Sequence, residues 1–358
     1  MAKRMFNGKK ILVTGHTGFK GSWLCKMLLG QGAEVCGYSL KPNTTPNMFS
    51  ILGLEEQVKT IHADVRNFTS ISGMVKKEKP DLVFHLAAQP LVRDSYDDPL
   101  YTFSTNVMGT ANVLEAIRKE PSVRASVVIT TDKVYSNKET QKPYVETDEL
   151  GGHDPYSASK ACAELVTQSY SKSFFKGASG GEGRRVFLAT ARAGNIIGGG
   201  DWSKDRLVPD IVRCLLEKNE QVVLRNPMAV RPWQHVLDPL MGYMILANGL
   251  LDGNADFEGA WNFSPDPKEC VTVEGVVKKA IGILGKGSYA VRPDSKKHEM
   301  ELLLLNSTKA RKKLCWEPHL DIKQAMKWTF EWYSDYYEGK DAVSATDSQI
   351  SRYLLIEG

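Results

Sequence analysis

What this chain lacks narrows its class before anything it contains. Its six cysteines, at positions 25, 36, 162, 214, 270 and 315, are scattered. No Cys-x-x-Cys occurs and no Cys/His cluster has metal-ligand spacing, so no metal site is expected. Isolated cysteines on apolar stretches read as small core residues of a protein held in a reducing cytoplasm. No apolar run approaches the ~20 residues needed to cross a bilayer. Residues 1–10 are charged rather than apolar, unlike a signal peptide. Lys9-Lys10 and Lys76-Lys77 are only pairs, and the net charge of 358 residues is +4, so no basic block grips nucleic acid. Internal repeats and low-complexity blocks are missing as well. What remains is an ordinary globular composition, 42% hydrophobic and 25% charged, with a length suited to two lobes. The mild basic excess suits a small anionic substrate.

One stretch organises the rest. Residues 11–21 read Ile-Leu-Val-Thr-Gly-His-Thr-Gly-Phe-Lys-Gly. Ile11, Leu12 and Val13 look like a buried parallel strand, and 22–29 carries apolar residues at helical spacing. Strand, glycine turn, helix aims a helix N-terminus at a pyrophosphate. Gly15 permits the tight turn, Gly18 lets phosphate approach the backbone, and Gly21 lets helix and strand pack closely. Glycines at this spacing alone also fit an ordinary turn; the flanking strand and helix favour the dinucleotide reading. His16, Thr17, Phe19 and Lys20 complete the turn. His16 reads either as a residue tuning the cofactor phosphates or as a polar loop residue.

The chain then alternates. Strands are expected at 34–40, 58–61, 82–86, 125–130 and 186–191, and helices at 67–79, 99–119 and 156–175. That alternation predicts a doubly wound α/β sheet of the Rossmann type. No acidic residue follows the second strand, where one usually holds the ribose hydroxyls. The strand ends Tyr38-Ser39-Leu40-Lys41; Ser39 suits a ribose and Lys41 a phosphate, so NAD and NADP both stay open at this position. Asp64, followed by Val65, could accept a bond from an adenine amino group or serve as a cap. Leu86, Ala87 and Ala88 let a cofactor lie close to the backbone. Asn106, inside a helix, is a solvated residue or, on the inner face, a tie between loops. Residues 177–183 read as a flexible loop. Beyond about 195 short strands mix with helices. The expected division is 1–194 for the dinucleotide, 195–340 for an interleaved substrate lobe, and 341–358 as a tail.

Three polar residues, Thr131, Asp132 and Lys133, follow the fifth strand, at the sheet edge where such folds bind ligands. Tyr156 and Lys160 stand four apart at a helix start and share a face. A nearby ammonium lowers the pKa of a phenol, normally ~10. Tyr156 is then expected to remove a proton from a sugar hydroxyl while hydride leaves the same carbon.

Together, the turn from Thr14 to Gly21, Leu86-Ala-Ala88, Asn106, Tyr156-x3-Lys160 and Arg192-Ala-Gly-Asn195 resemble the extended short-chain dehydrogenase/reductases, over about residues 8–337. Thr131-Asp132-Lys133 is similar to the signature of the nucleotide-sugar 4,6-dehydratases, most of which carry Thr-Asp-Glu. Lys133 departs from it. With His16, residues 37–40, Arg231-Pro-Trp-Gln-His235 and His298-Glu299, the pattern resembles the members acting on CDP-glucose. The resemblance implies NAD as cofactor and a product on the route to dideoxysugars of surface polysaccharide. It also implies roles. Thr131 would bond the C4 oxygen, Lys133 would take the C5 proton or only stabilise an enolate, and Asp132 would protonate the leaving C6 hydroxyl. Lys160 would also bond the nicotinamide ribose. Substrate contacts would come from Asn195, Arg206, Arg231 and Asn262, and from Gln89, Arg93, Leu224, Arg225, His298 and Glu299. The family dimerises through two helices, here 99–119 and 156–175, and further pairing into tetramers stays open. The rivals are an epimerase or decarboxylase of the same fold, a dehydratase for another nucleotide sugar, and a non-catalytic NAD-binding scaffold.

Overall fold

The structure is a computed structural model and describes residues 4–138, 140–176, 185–292 and 303–357. The loop 177–183, His298 and Glu299 lie outside the described residues. Strands and helices alternate as predicted: β1 Lys10–Thr14, α1 Phe19–Gly30, β2 Glu34–Ser39, β3 Lys59–His62, α2 Phe68–Glu78, β4 Leu82–His85, α3 over 99–119, β5 Ala125–Ile129, α4 Pro155–Tyr170, β6 Phe187–Ala193, α5 Leu237–Leu251 and β7 Gly259–Phe263. All strand pairings in the sheet are parallel, in the order β7-β6-β5-β4-β1-β2-β3. The order reverses between β1 and β4, which opens a crevice at their carboxyl ends.

The strands read as continuous apolar runs because both faces are covered. Ile11, Val13, Leu82, Phe84 and Val127 point to one core with Trp23 of α1 and Leu240 of α5. Leu12, Val83 and Val128 point to the other, with Ile71 of α2 and Val113 of α3. The 99–119 helix is not uniform: Ser104–Met108 widens into a π-helical turn, and Asn106 sits in it. Such turns interrupt regular helices at functional sites. A second wide turn, Ser171–Phe175, extends α4.

The second lobe is interleaved, since β7 returns to the central sheet beside β6. Its own strands are short pairs, among them Ile196–Ile197 with Gln234–His235 and Val222–Leu224 with Tyr289–Val291. Near the end, α6 Ile322–Tyr337 starts in a capping box of Asp321 and Gln324, and buries Ile322, Met326, Phe330 and Tyr333. The periodicity predicts only a tail over 341–358; the structure forms a helix, α7 Ala342–Glu357. Thr346 accepts from Trp332 Nε1 at 2.9 Å, Gln349 donates to the Trp328 carbonyl at 2.8 Å, and the Tyr353 hydroxyl donates to Asp238 at 2.9 Å. Ala342, Thr346, Gln349 and Tyr353 form the buried stripe, with Val343, Ala345, Ile350 and Leu354 packed beside it, and its two polar members interrupt the apolar spacing. Among the described residues no helix is long and apolar enough to cross a membrane.

Candidate active site

The glycine turn closes because two side chains are missing. Gly15 has φ +73°, and a Cβ there would lie 2.7 Å from the Ala87 nitrogen. A Cβ on Gly21 would stand 2.2 Å from the Gly15 carbonyl oxygen. The turn therefore presses against the end of β4 and the start of α1 at once. Gly18 precedes α1 without a capping side chain, so the first N–H groups of that helix keep their pull on an anion. Thr17 donates its hydroxyl proton to the Leu40 carbonyl at 2.9 Å and lies 2.9 Å from the Ser39 oxygen. Ser39 is then the donor of that pair, and its oxygen keeps acceptor capacity for a ribose hydroxyl. These features fit a bound dinucleotide.

Four expected cofactor residues have their side chains engaged within the protein. The His16 ring is fully buried, edge-on to Phe49, with Nε2 3.1 Å from the Thr60 hydroxyl. It fills the space a Cβ on Gly37 would take, 2.4 Å away. Burial, with the charge of His62, lowers its pKa to about 4. His16 is thus a neutral wedge behind the turn. Tyr38 is buried and donates to the Asp64 carbonyl at 2.9 Å. Val65 is packed against Gly109. The Asp64 carboxylate takes three bonds from Arg66, one from its backbone and two from its guanidinium.

Asn106 is 1% exposed and ties the loop after β4 to α4. Its Oδ1 accepts from the Gln89 nitrogen at 2.8 Å. Its Nδ2 donates to the Gln89 carbonyl at 3.1 Å and to Ser159 at 2.9 Å, and Ser159 donates to the Tyr156 carbonyl at 2.7 Å. Below it lies His85, which sequence reasoning missed. Thr110 donates to the Asn106 carbonyl at 2.7 Å, so it accepts from His85 Nε2 at 3.0 Å. His85 Nδ1 then accepts from Thr14 at 2.7 Å. Donor accounting fixes the Nε2–H tautomer. The only sequence signal is a histidine ending an otherwise apolar strand.

Thr131 follows β5, and Asp132–Val134 forms a short 3-10 turn that brings Thr131, Asp132 and Lys133 to the crevice. Thr131 donates to Asp132 Oδ1 at 2.8 Å, and Lys133 Nζ lies 3.5 Å from the same oxygen. Asp132 is 1% exposed, and its Oδ2 has no partner among the described residues. A Cβ on Gly194 would come within 3.3 Å of that orphan oxygen, and within 2.9 Å of Pro232. Gly194 and Pro232 thereby close the wall beside that oxygen.

Tyr156 opens α4 because Asp154 caps it, accepting from the Ser157 nitrogen at 2.9 Å, and Pro155 takes the first turn. Its hydroxyl stands near Thr131, whose presence favours the ionised phenol. Burial pushes the Tyr156 pKa up to about 12, against the pull of Thr131 and the Arg206 charge. This corrects the expectation that Lys160 draws it down. Lys160 donates instead to the Ile129 carbonyl at 2.8 Å, and burial lowers its own pKa to about 8. One turn on, Glu164 is fully buried and was missed, although it continues the Tyr156/Lys160 face. It accepts from Thr130 at 2.6 Å, Thr190 at 2.7 Å, and twice from Arg192 at 2.9 Å. This pair is the floor under the lysine.

The expected substrate residues divide. Arg206 precedes the helix Leu207–Val212, pairs with Asp201 at 3.0 Å, and is felt by Tyr156 and Lys20. Arg93 pairs with Asp205 at 3.2 Å, next to it in sequence. Burial, then the charges of Arg206 and Lys160, lower the Lys20 pKa to about 7. Arg206 and Lys160 thus stand close enough to Lys20 to oppose its charge. Gln89, Asn262 and Leu224 are different. Gln89 spends both side-chain ends on Leu91 and Thr102. Asn262 is fully buried, accepting from Tyr135 and donating to the Tyr144 and Asn306 carbonyls. Leu224 is 2% exposed in the apolar core. Their side chains brace the lobe. Arg225 is half-buried, and Arg231 donates to the Val230 carbonyl at 2.9 Å.

The family model described as GDP-mannose 4,6 dehydratase matches residues 12–329. A CDP-glucose 4,6-dehydratase of Salmonella typhimurium is 43% identical over 353 residues, covering 98% of each chain. Among solved structures, the dTDP-glucose 4,6-dehydratase of Bacillus anthracis in complex with NAD aligns with a TM-score of 0.77 at 22% identity, covering 94% of this chain and 100% of that one. The UDP-glucose 4-epimerase of Thermus thermophilus in complex with NAD aligns with a TM-score of 0.78 at 24% identity, covering 91% and 99%.

Proposed function

Because the chain belongs to the GDP-mannose 4,6-dehydratase family, we propose that it dehydrates a nucleotide sugar. It converts CDP-D-glucose to CDP-4-dehydro-6-deoxy-D-glucose, a hydro-lyase reaction with NAD as cofactor. One observation carries this reading: a carboxyl and an amine, Asp132 and Lys133, stand 3.5 Å apart beside the Tyr156–Thr131 pair. An epimerase needs the phenol but no such acid–base pair. The cytidine base rests on the 43% identical relative.

The residues divide the work. NAD, which the glycine turn, the N-terminus of α1 and Ser39 would hold, would supply a reversible hydride acceptor. Tyr156 receives the C4 hydroxyl proton, with the Arg206 charge favouring the phenolate against the burial that disfavours it, while Thr131 holds that oxygen. The C4 ketone acidifies the C5 proton, which Lys133 removes as a neutral amine. Asp132, as the acid, protonates the departing C6 hydroxyl. A charged Lys133 beside a carboxylate, and an amine beside a carboxylic acid, hold the same number of protons. One transfer across the pair converts the first into the second. Arg206, Arg93, Lys20, Asn195 and Arg231 hold the diphosphate and sugar. Lys160 supports the cofactor ribose.

We further propose a cytoplasmic homodimer, and a product consumed in making surface dideoxysugars. Leu100 (81% exposed) and Met108 (56%) on α3, and Leu165 (55%) and Phe174 (43%) on α4 and its extension, present an apolar face on two packed helices. Leu100→Lys with Leu165→Lys should give a monomer by sedimentation; an unchanged particle would place the interface elsewhere. The function is tested by mass loss of one water from CDP-, dTDP-, GDP- and UDP-hexoses, with and without NAD. Loss from CDP-glucose, promoted by NAD, is expected. Turnover of another nucleotide sugar only would move the base specificity.

A further inference from the structure

The nucleotide-sugar reading, on which this inference rests, gives Arg206 a diphosphate to hold. A long side chain left to itself loses rotamer freedom when it binds, so an arginine fixed beforehand binds better. For Arg206 the fixing is visible. It ends the loop 199–206, which is pinned from several sides. The Gly199 carbonyl accepts from Trp23 Nε1 of α1 at 2.9 Å. A Cβ on Gly199 would stand 2.1 Å from the Trp332 ring of α6, so the loop passes there only as glycine. The Trp202 and Ser203 carbonyls accept from Arg213 at 3.0 and 3.1 Å.

Asp201 is the buried centre of this loop. One hydroxyl holds both of its backbone groups. The Tyr333 oxygen accepts from the Asp201 N–H at 2.8 Å, and the Tyr333 hydrogen goes to the Asp201 carbonyl at 2.6 Å. The carboxylate is fixed as well. Its Oδ1 accepts from the Ser203 N–H at 2.9 Å, which leaves Oδ2 to accept from Arg206 Nη1 at 3.0 Å. The anchor is buried and the head is open: the Asp201 side chain is 6% exposed, the Arg206 side chain 36%. Among the described residues Arg206 makes its side-chain hydrogen bond through Nη1, and a guanidinium carries further N–H donors. Arg192 shows the closed alternative, with Nε and Nη2 both on Glu164 and Nη1 on Tyr135. The loop also reaches the catalytic helix. Asp205, with φ +56°, pairs with Arg93 at 3.2 Å. Two residues further on, Ser95 gives its hydrogen to the Val92 carbonyl at 2.6 Å and accepts the Tyr156 N–H at 3.1 Å.

We propose that Asp201, set by the Tyr333 hydroxyl, is a positioning residue that holds Arg206 ready for the diphosphate of the nucleotide sugar. By charge alone a carboxylate beside an anion site opposes the ligand. Its gain is order: Arg206 has fewer rotamers to lose, and its donors other than Nη1 stay available to phosphate.

The test is a double-mutant cycle read by calorimetric titration of CDP into the NAD-loaded protein. Asp201→Asn keeps the shape and the oxygen that Ser203 uses, and removes the charge that holds Arg206. It should raise the Kd for CDP about tenfold. The KM for CDP-glucose should rise by a similar factor, with kcat within about threefold of wild type. Arg206→Met should weaken CDP at least as much, and adding Asp201→Asn to it should change the Kd less than about twofold, because nothing is left to position. Equal losses with and without Arg206, a fall confined to kcat, or an Asp201→Asn protein that binds CDP as well as wild type overturns the proposal. If Asp201→Asn does not fold, Tyr333→Phe keeps the ring and removes only the hydroxyl. It should weaken CDP when Arg206 is present and not beside Arg206→Met; no loss, or the same loss in both, overturns the proposal. Absence of water loss from CDP-glucose by a wild-type protein that shows the expected cycle with CDP would instead overturn the dehydration reading and leave the positioning role standing.

Discussion

Glu164→Gln should damage the fold more than the reaction, and the structure fixes the size. Glu164 and the Arg192 side chain are 0% and 1% exposed, and they meet through two bonds of 2.9 Å. At ~4 Å between charge centres and an effective dielectric near 20, such a pair is worth about 4 kcal/mol. The glutamine keeps the shape but leaves the guanidinium unpaired in the interior. It also turns an N–H pair toward Thr130 or Thr190, both of which donate to the carboxylate. Removing one partner of a buried pair costs roughly 3–5 kcal/mol, a large share of a typical ~5–15 kcal/mol. The assay is urea unfolding, read as a midpoint shift at constant slope. Glu164→Gln with Arg192→Met should recover at least half of the loss, because no charge is then stranded. A single-variant cost under ~1 kcal/mol, or a double variant worse than the single, would refute the reasoning. The pH dependence adds a check. Burial raises the Glu164 pKa, but the Arg192 bonds and charge with the two threonines more than offset it, so the folded value is depressed. This stability is present above the ordinary glutamate pKa and is lost as pH falls through the folded one.

Other expectations follow from single contacts. Gly37→Ala should cost ~1–3 kcal/mol by overpacking, since its Cβ would sit 2.4 Å from the His16 ring. Adding His16→Ala should restore most of that loss in thermal unfolding; no rescue would show that the two do not compete for the same space. Burial holds His16 to about 4, and His85 and His235 to about 3, below the ordinary histidine value. Their contribution is full above ~6.5 and is lost as pH falls, about 1–2 kcal/mol each at pH 5; nitrogen-15 spectra should show His85 neutral with Nε2 protonated, and a protonated ring at pH 5 would contradict its packing. Lys133→Met should oxidise C4 but stop before water loss, accumulating the absorbance of reduced cofactor, whereas full turnover would remove Lys133 from the base role. Tyr156→Phe should lose even the first oxidation, and formation of reduced cofactor at the wild-type rate would displace the phenol.

The sequence by itself determined the layered sheet, because strand alternation, glycine spacing and helix caps are local signals. Runs such as Leu82–His85 and Ala125–Ile129 carry their burial on both faces in their own composition. It also named the proposed reacting set, since Thr131, Asp132 and Lys133 are consecutive and Tyr156 and Lys160 share one helical face. Tertiary structure alone decided what each group experiences. His16 is a wedge because Gly37, 21 positions on, leaves room for it. The Asn262 side chain is engaged by Tyr135, Tyr144 and Asn306, which converge on it from distant segments. The α7 helix was hidden because its buried stripe is held by hydrogen bonds to Trp328, Trp332 and Asp238, which no apolar period records. Titration behaviour belongs to the same class: burial raises Tyr156 and lowers Lys160 through neighbours drawn from several distant segments. A local pattern can name the chemical groups, but their charge states depend on solvent exclusion and on long-range contacts that exist only after the chain has folded.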